Sequence, residues 1–185
     1  MAGLIFRETA LEGAFVIELE RIEDERGFFA RTFCRREFRE HGLIAEVVQA
    51  NTAFNRRKGT LRGLHYQATP HEEAKLVRCT RGAVYDVIID LRPVSPSFRR
   101  WVAVELTARN DSMLYVPEGF AQGYQTLEDD TETSYLMSAA YEPNAGRGVR
   151  WDDPAFDIEW PEVEERTINK RDRSWPNFDP GSAPH

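Results

Sequence analysis

One histidine in this sequence is placed to move protons at neutral pH. Of the four histidines, only His65 lies inside an apolar, glycine-flanked segment, Gly59-Thr60-Leu61-Arg62-Gly63-Leu64-His65-Tyr66-Gln67. An imidazole there needs a hydrogen-bond partner or a catalytic role, and its ordinary pKa suits a general base. A carboxylate would fix its tautomer, but nothing local selects one from the 31 Asp and Glu residues. His65 is therefore either a hydrogen-bonded core residue or a base.

The other histidines and several polar side chains have simpler alternatives. His41 is predicted to cap a helix, His71 to lie in a loop, and His185 is the terminus. Tyr135, in a predicted strand, is either a core residue or a general acid. Lys75 follows Ala74 and precedes two apolar residues, so its charge must be paired or face an anion. The guanidinium groups of Arg26 and Arg62 suit either phosphate binding or surface ion pairs.

Short strands must position these side chains. Alternation of apolar and polar residues predicts eight or more strands, at Phe15–Leu19, 47–54, 61–67, 74–80, 83–91, 101–107, 113–116 and 131–139. Turn signals separate them, and the spacing favours an all-β antiparallel jelly-roll barrel around one cavity. One short helix is predicted at Arg35–His41, ended by Gly42. After Pro143 an irregular C-terminal tail is expected to pack its tryptophans over the barrel, within one domain spanning residues 1–185.

A jelly roll that contains a histidine first suggests the metal-binding cupins, but the ligand pattern is incomplete here. That pattern has two histidines spaced H-x-H and another after P-x-G-x-x. This chain has His65-Tyr66-Gln67 at the first place and Gln122 at the second. Because amides bind first-row transition metals poorly, we expect no metal and no other cofactor.

Composition and charge narrow the classes of partner. The 185 residues carry a net charge of −7, which argues against nucleic-acid or anionic-membrane binding by the whole surface. Residues 51–81 are nevertheless basic, with a net charge of +5, whereas residues 126–165 carry −10. This distribution fits either a small anionic ligand or an unevenly charged surface. No apolar stretch is long enough to span a membrane and no signal peptide is evident, so a cytoplasmic location is expected. Cys34 and Cys79 are predicted to be free thiols.

Several strings resemble the dTDP-4-dehydrorhamnose 3,5-epimerase family, from about Phe15 to Phe178. The resemblance lies in residues 59–67, 73–78, 85–87, 90–92 and 116–121, and also in residues 26–29, 48–51 and 147–148. It implies a metal-independent cupin-type jelly roll that forms a homodimer, with N-terminal strands extending into the partner. It also implies an isomerase that inverts the carbons on either side of the ketone in a nucleoside diphosphate 4-keto-6-deoxyhexose.

The resemblance also assigns roles to individual residues. It implies that His65 is the base and Asp172 its carboxylate partner, that Tyr135 is the acid on the opposite face, and that Lys75 stabilises the enolate. Residues implied to contact the nucleotide sugar are Arg26, Phe29, Gln49, Asn51, Arg62, Gln122 and Arg171. Strict alternation would place Arg62 and His65 on opposite faces of their strand, so both can line one cavity only if Gly63 permits a bulge or Arg62 reaches around an edge.

Some positions depart from the family pattern. Gln122 stands where a histidine is common, Arg31 where an acidic residue is frequent, Ala53 and Asn169 where serines are usual, and Gly146 where an acidic residue is often found. Gln122 and Arg31 are expected to touch the base or pyrophosphate. Another nucleotide, another hexose, inversion at one carbon only, or a non-catalytic sugar-nucleotide binding cupin therefore remain alternatives.

Overall fold

Two packed antiparallel sheets form the body of the protein, as a computed structural model describes it for residues 2–179; Met1 and residues 180–185, with the terminal His185, lie outside the described residues. The strands are β1 (Leu4–Glu8), β2 (Phe15–Leu19), β3 (Ile22–Asp24), β4 (Gly27–Phe29), β5 (Gln49–Asn55), β6 (Thr60–Gln67), β7 (Lys75–Arg81), β8 (Ala83–Asp90), β9 (Trp101–Thr107), β10 (Met113–Val116), β11 (Phe120–Thr126), β12 (Thr131–Met137), β13 (Gly146–Gly148) and β14 (Thr167–Ile168). The helices are α1 (Arg35–Glu40) and α2 (Lys170–Arg173).

The strand order brings distant parts of the chain together. The first sheet has the order β1-β2-β10-β7-β12-β5, and the second has β13-β6-β11-β8-β9, with β14 added in parallel to β6. Strands β3 and β4 form a separate hairpin. The predicted all-β, cupin-like jelly roll is confirmed, and all eight predicted strand segments are strands.

The apolar core has three parts. Side chains from both sheets, including Val77, Ile88 and Leu114, pack between them. The outer face of the first sheet is covered by α1 through Phe38. The outer face of the second sheet is covered by the C-terminal tail, which brings Trp151 and two further large aromatic side chains, Trp160 and Phe156, onto Leu64, Val87 and Ile89. The expectation that the tail packs over the barrel is therefore confirmed.

The elements that the pattern missed are mostly short, apart from β11. This strand runs through the middle of the second sheet, between β6 and β8. It was missed because Ala121, Gln122 and Gly123 interrupt the period-two pattern and because nearly every residue of the strand is buried. Helix α1 ends one residue before the predicted end, with His41 as its C-cap. Cys34 and Cys79 are free thiols. From residue 2 to residue 179, no helix is long and apolar enough to cross a membrane.

Candidate active site

A cavity of about 370 Å³ opens between the two sheets. The first sheet contributes Lys75 and Tyr135, and the second contributes His65 and Gln122. Alternate residues of each strand face inward, as the pleat of a strand requires. The residues predicted for the site that line this cavity are His65, Tyr135, Asp172, Lys75, Gln49, Asn51, Arg62, Gln122 and Arg171. Its size falls in the range of small-ligand sites.

His65 and Asp172 form a hydrogen-bonded pair. His65 Nε2 lies 2.7 Å from Asp172 Oδ1, and the Asp172 side chain is fully buried whereas the imidazole is 41% exposed. Burial by itself would raise the pKa of Asp172, but hydrogen bonds from His65 and the Gly63 N–H, with the nearby Arg171 charge, hold that pKa below its usual range. An ionised Asp172 accepts the proton on Nε2 and leaves Nδ1 as the basic nitrogen. Nδ1 has no hydrogen-bond partner within residues 2–179.

The C-terminal tail holds Asp172 in place. Asn169 caps the short helix α2: its Oδ1 accepts from the Asp172 N–H at 2.7 Å, and its Nδ2 donates to Asp172 Oδ2 at 3.2 Å. Asn169 can therefore supply a cap and also donate to the carboxylate. Trp175 packs against Gly148, where an added Cβ would lie 2.3 Å from the indole ring. This close packing seats the tail beside β13, so that Asp172 reaches a histidine 107 positions away.

A bulge at Gly63 places Arg62 and His65 on one wall. Across the β6–β11 pair, His65 lies opposite Gln122 and Arg62 opposite Tyr124, so three steps along β6 match two along β11. The extra residue reverses the alternation between Arg62 and His65. Gly63 has φ +128°, and a Cβ there would lie 2.5 Å from the Gly123 Cα. Of the two routes open from the sequence, the bulge is the one that the fold uses.

Lys75 is a buried cation with a partner that the sequence analysis did not identify. Its Nζ lies 3.1 Å from Glu73 Oε1 and donates to the His65 carbonyl at 3.2 Å. Glu73 also lines the cavity, and its Oε2 is buried without a hydrogen-bond partner among the described residues. The signal for Glu73 was its position two residues before Lys75, which puts both side chains on one face. Lys75 is therefore paired with Glu73 and also lines the cavity, where its charge can act on a bound ligand.

Tyr135 faces His65 from the other sheet. Its neighbours along the inward face of the first sheet are Val77 and Met137. Burial, with the nearby Tyr124, raises the pKa of the Tyr135 phenol above its usual range, although the Arg62 charge opposes this. The phenol is therefore protonated at neutral pH and can donate a proton.

Asp86 is a second carboxylate that the sequence analysis missed. It lies on β8, is completely buried, and accepts a hydrogen bond from Gln122 Nε2 at 2.9 Å. Its Oδ2 has no hydrogen-bond partner in the described part of the chain. Burial raises the pKa of Asp86 to about 7, although the hydrogen bond from Gln122 and the charge of Lys75 lower it. The signal was available in the sequence, because Asp86 is a charge within an almost wholly apolar strand, the same pattern that singled out Lys75.

Polar and basic groups lie around the remaining wall. Gln49 Nε2 donates to Asn51 Oδ1 at 3.0 Å, and Arg62 Nε donates to Asn55 Oδ1 at 2.7 Å. Arg171 and the unpredicted Arg147 also line the cavity. Among the described residues, two carboxylates, Glu73 and Asp172, and four cationic side chains line the cavity; the cations are Arg62, Lys75, Arg147 and Arg171. This excess of positive charge fits an anionic ligand.

The structure does not bring every predicted residue to this cavity. Arg26 and Phe29 lie on the exposed β3–β4 hairpin, where Arg26 pairs with Asp24 and Phe29 is 66% exposed. Arg31 forms an ion pair with Glu37 at 2.5 Å and does not line the cavity of its own chain, so its expected contact with base or pyrophosphate stays a prediction. Of the other departures from the family pattern, Ala53 and Gly146 do line it. No group of three His, Cys, Asp or Glu side chains within residues 2–179 is arranged to hold a metal ion.

Comparison with known proteins identifies the family. The family model described as dTDP-4-dehydrorhamnose 3,5-epimerase matches residues 8–180. The dTDP-4-dehydrorhamnose 3,5-epimerase of Methanothermobacter thermautotrophicus is 41% identical over 177 residues, which is 95% of each chain. A Bacillus anthracis epimerase of the same name, solved with TDP and PPi bound, superposes with a TM-score of 0.91 at 35% identity over 95% of this chain and 100% of its own. A 3'-monoepimerase from Streptomyces bikiniensis, in complex with dTDP-quinovose, has a TM-score of 0.85 at 34% identity over 91% of this chain and 85% of its own. The chain belongs to the dTDP-4-dehydrorhamnose 3,5-epimerase family of isomerases.

Proposed function

We propose that this protein converts dTDP-4-dehydro-6-deoxyglucose to dTDP-4-dehydrorhamnose by inverting C3 and C5. The observation that carries the proposal is the placement of the His65–Asp172 pair and Tyr135 on opposite walls of one cavity. A base and a separate acid on opposing walls can remove a proton from one face of a carbon and return one to the other. The sugar then needs no rotation within the site.

In the first step, His65 Nδ1 takes the proton from the carbon beside the ketone. The electron pair of the C–H bond forms a double bond to the carbonyl carbon, and the π electrons of the ketone move to its oxygen, which becomes negatively charged. Lys75 supplies the positive charge that stabilises this enolate, and Asp172 stabilises the imidazolium through Nε2. Both charges develop in a cavity between the two sheets, where such interactions are stronger than in water.

In the second step, the Tyr135 phenol donates its proton to the opposite face of the same carbon. The enolate returns to a ketone, and the configuration is inverted. The proton balance is restored when the phenolate regains a proton and the imidazolium releases one to solvent. The same pair of groups can act on C3 and C5 because both carbons adjoin the one ketone.

We assign the basic wall of the cavity to the nucleotide. Arg62 and Arg171 suit the two phosphates, and Gln49 and Asn51 supply amide donors and acceptors beside them.

A cytoplasmic location stays a prediction.

Exchange with deuterium oxide tests the reaction. Incubation of the enzyme with dTDP-4-dehydro-6-deoxyglucose in deuterium oxide should place deuterium at C3 and C5, read by NMR at each position. His65→Asn should slow exchange by about 10²–10⁴-fold. His71→Asn is the matched control, because His71 lies outside the cavity. Absence of exchange would leave a non-catalytic sugar-nucleotide binder, and deuterium at C3 alone would leave a single-carbon epimerase.

We further propose a homodimer in which the β3–β4 hairpin reaches the partner's cavity. The hairpin exposes Ile22, Phe28 and Phe29 at 48–66%, an unusual concentration of apolar surface for three residues in one hairpin. Arg26 and Phe29 do not line the cavity of their own chain, and we assign them to the cavity of a second copy.

Complementation between two inactive variants tests this exchange. Arg26→Ala and His65→Asn chains, carrying different tags, are purified as a mixed dimer. The Arg26→Ala chain then keeps its own His65 and receives Arg26 from its partner, so one site of the pair should recover activity. A mixed dimer that stays inactive, or a monomer by light scattering, contradicts the exchange.

A further inference from the structure

Asp86 has a single described hydrogen-bond partner, and that partner lines the cavity. Asp86 is 0% exposed, its Oδ1 accepts from Gln122 Nε2 at 2.9 Å, and its Oδ2 is buried without a partner in the described part of the chain. Buried carboxylates are ordinarily surrounded by donors. Within residues 2–179 this one is bonded only to the amide of Gln122, so the constraint that it imposes acts on that amide.

The contact determines which way the Gln122 amide faces. An ionised carboxylate only accepts hydrogen bonds, so the NH₂ group must point at Asp86. Since the pKa of Asp86 is raised to about 7, the group also takes up a proton near neutral pH. That proton is expected on the unpartnered Oδ2, and Oδ1 then still accepts. In both forms the carbonyl oxygen of Gln122 is turned away from Asp86, and it has no hydrogen-bond partner among residues 2–179.

Gln122 lies beside the base in the sheet. Gln122 is directly opposite His65 in the β6–β11 register, and both residues line the cavity. Directly opposed residues in an antiparallel pair have Cβ atoms about 5 Å apart. A ligand group bound by Gln122 is therefore next to the carbon that His65 deprotonates.

The chemistry of an amide oxygen selects the group that it binds. Phosphate oxygens and the substrate ketone are hydrogen-bond acceptors and face a carbonyl oxygen unfavourably, whereas a hydroxyl group donates to it. We propose that Gln122, oriented by Asp86 as a positioning residue, determines specificity by accepting a hydrogen bond from the C2 or C3 hydroxyl of the hexose. This inference rests on the proposed function and adds to it the ring hydroxyl that the site requires.

Fluorinated ligands separate donation from acceptance. The probes are dTDP-glucose, which is not a ketone and does not react, and its 2-deoxy-2-fluoro and 3-deoxy-3-fluoro analogues. Fluorine occupies the place of the hydroxyl but cannot donate a hydrogen bond. Calorimetry should show that wild-type protein binds one of the two analogues about tenfold more weakly than dTDP-glucose, because the carbonyl oxygen loses its donor.

Gln122→Met removes the acceptor and keeps the length of the side chain. This variant should bind dTDP-glucose about tenfold more weakly and should no longer distinguish it from either analogue. Binding of dTDP alone should be unchanged, which serves as the internal control. Equal discrimination by wild type and Gln122→Met would overturn the inference.

Asp86→Asn tests the positioning role. Asparagine can donate to the Gln122 carbonyl, so the amide can turn its NH₂ group to the cavity and bind hydroxyl and fluorine alike. The preference for dTDP-glucose should shrink to within about threefold, without loss of affinity for dTDP. An unchanged preference overturns the role of Asp86, and if this variant does not fold, the Gln122→Met comparison decides. Failure of wild type to bind dTDP-glucose would contradict the proposed function as well, whereas binding without any discrimination would contradict this inference alone.

Discussion

Strand β8 carries two buried aspartates, four residues apart, whose surroundings are opposite. Asp90 accepts hydrogen bonds from Arg92, Ser95 and Ser97, in the loop between β8 and β9. Among the described residues Asp86 accepts only from Gln122, which lines the cavity, and one of its oxygens has no partner. Both side chains are 0% exposed, so burial alone does not distinguish them.

The number of donors explains the difference in ionisation. Burial would raise the pKa of Asp90, but its hydrogen bonds from Arg92, Ser95 and Ser97 outweigh burial and lower that pKa. At Asp86 burial prevails and the pKa rises to about 7. A complete polar network stabilises the fold, whereas an incomplete one beside a cavity leaves bonding capacity for positioning and chemistry. The surroundings of Asp86 are thus organised for function and those of Asp90 for stability.

The largest expected effect is on activity, from Asp172, the buried partner of the base. Asp172→Asn removes the charge that supports the His65 imidazolium, so kcat should fall by about 10²–10⁴-fold. The measurement is steady-state turnover, with the melting temperature followed in parallel. Asp153→Asn is the matched control, since Asp153 is buried in the same tail but its side chain, among the described residues, accepts only from the backbone N–H groups of Ala155 and Phe178. A loss below threefold for Asp172→Asn would contradict the assignment.

The next largest effect is on stability, at Asp90. Asp90→Asn leaves the Arg92 guanidinium without its buried counter-ion, so the free energy of unfolding should fall by about 3 kcal/mol. Urea denaturation measures this change, and kcat per folded molecule should stay at the wild-type value. If turnover fell while stability held, the assignment of Asp90 to stability and of Asp86 to function would be wrong.

At Asp86 the expected effect depends on pH. A pKa raised to about 7 in the folded protein, from an ordinary value of 3.8, means that folding takes up a proton between these values. The free energy of unfolding should therefore fall as pH rises through this window and level off above it. Relative to Asp86→Asn, wild type should lose about 2–3 kcal/mol between pH 5 and pH 8, measured by urea denaturation. Parallel pH profiles for the two proteins would show that Asp86 is not perturbed.

The smallest expected effect concerns the hydrogen-bond donors around Asp90. Ser97→Ala removes one of several donors to Asp90, and the remaining Arg92 and Ser95 contacts should hold the carboxylate charged. We expect a loss of about 1 kcal/mol in the free energy of unfolding, without change in activity. Chemical denaturation is precise enough to measure it, and a loss as large as that of Asp90→Asn would mean that the cluster has no redundancy.

By itself, the sequence determined most of the strands, the irregular C-terminal tail and the segment around His65. These features are local, because alternation along a strand encodes which face is buried whatever the partner strand is. Its resemblance to a family also supplied Asp172, which no local pattern selects from so many carboxylates. Strand β11 escaped because its residues are buried on both faces and so show no alternation.

Only the tertiary structure decided what surrounds the base. It showed that a bulge at Gly63 turns Arg62 and His65 to one wall, that Glu73 pairs with Lys75, and that Asp86 holds Gln122. It also placed Arg26 and Phe29 on an exposed hairpin, away from their own cavity. Each of these facts depends on contacts between residues distant in the chain. The free energy that selects such contacts comes from packing and hydrogen bonding between elements, and a local pattern carries no record of which elements meet.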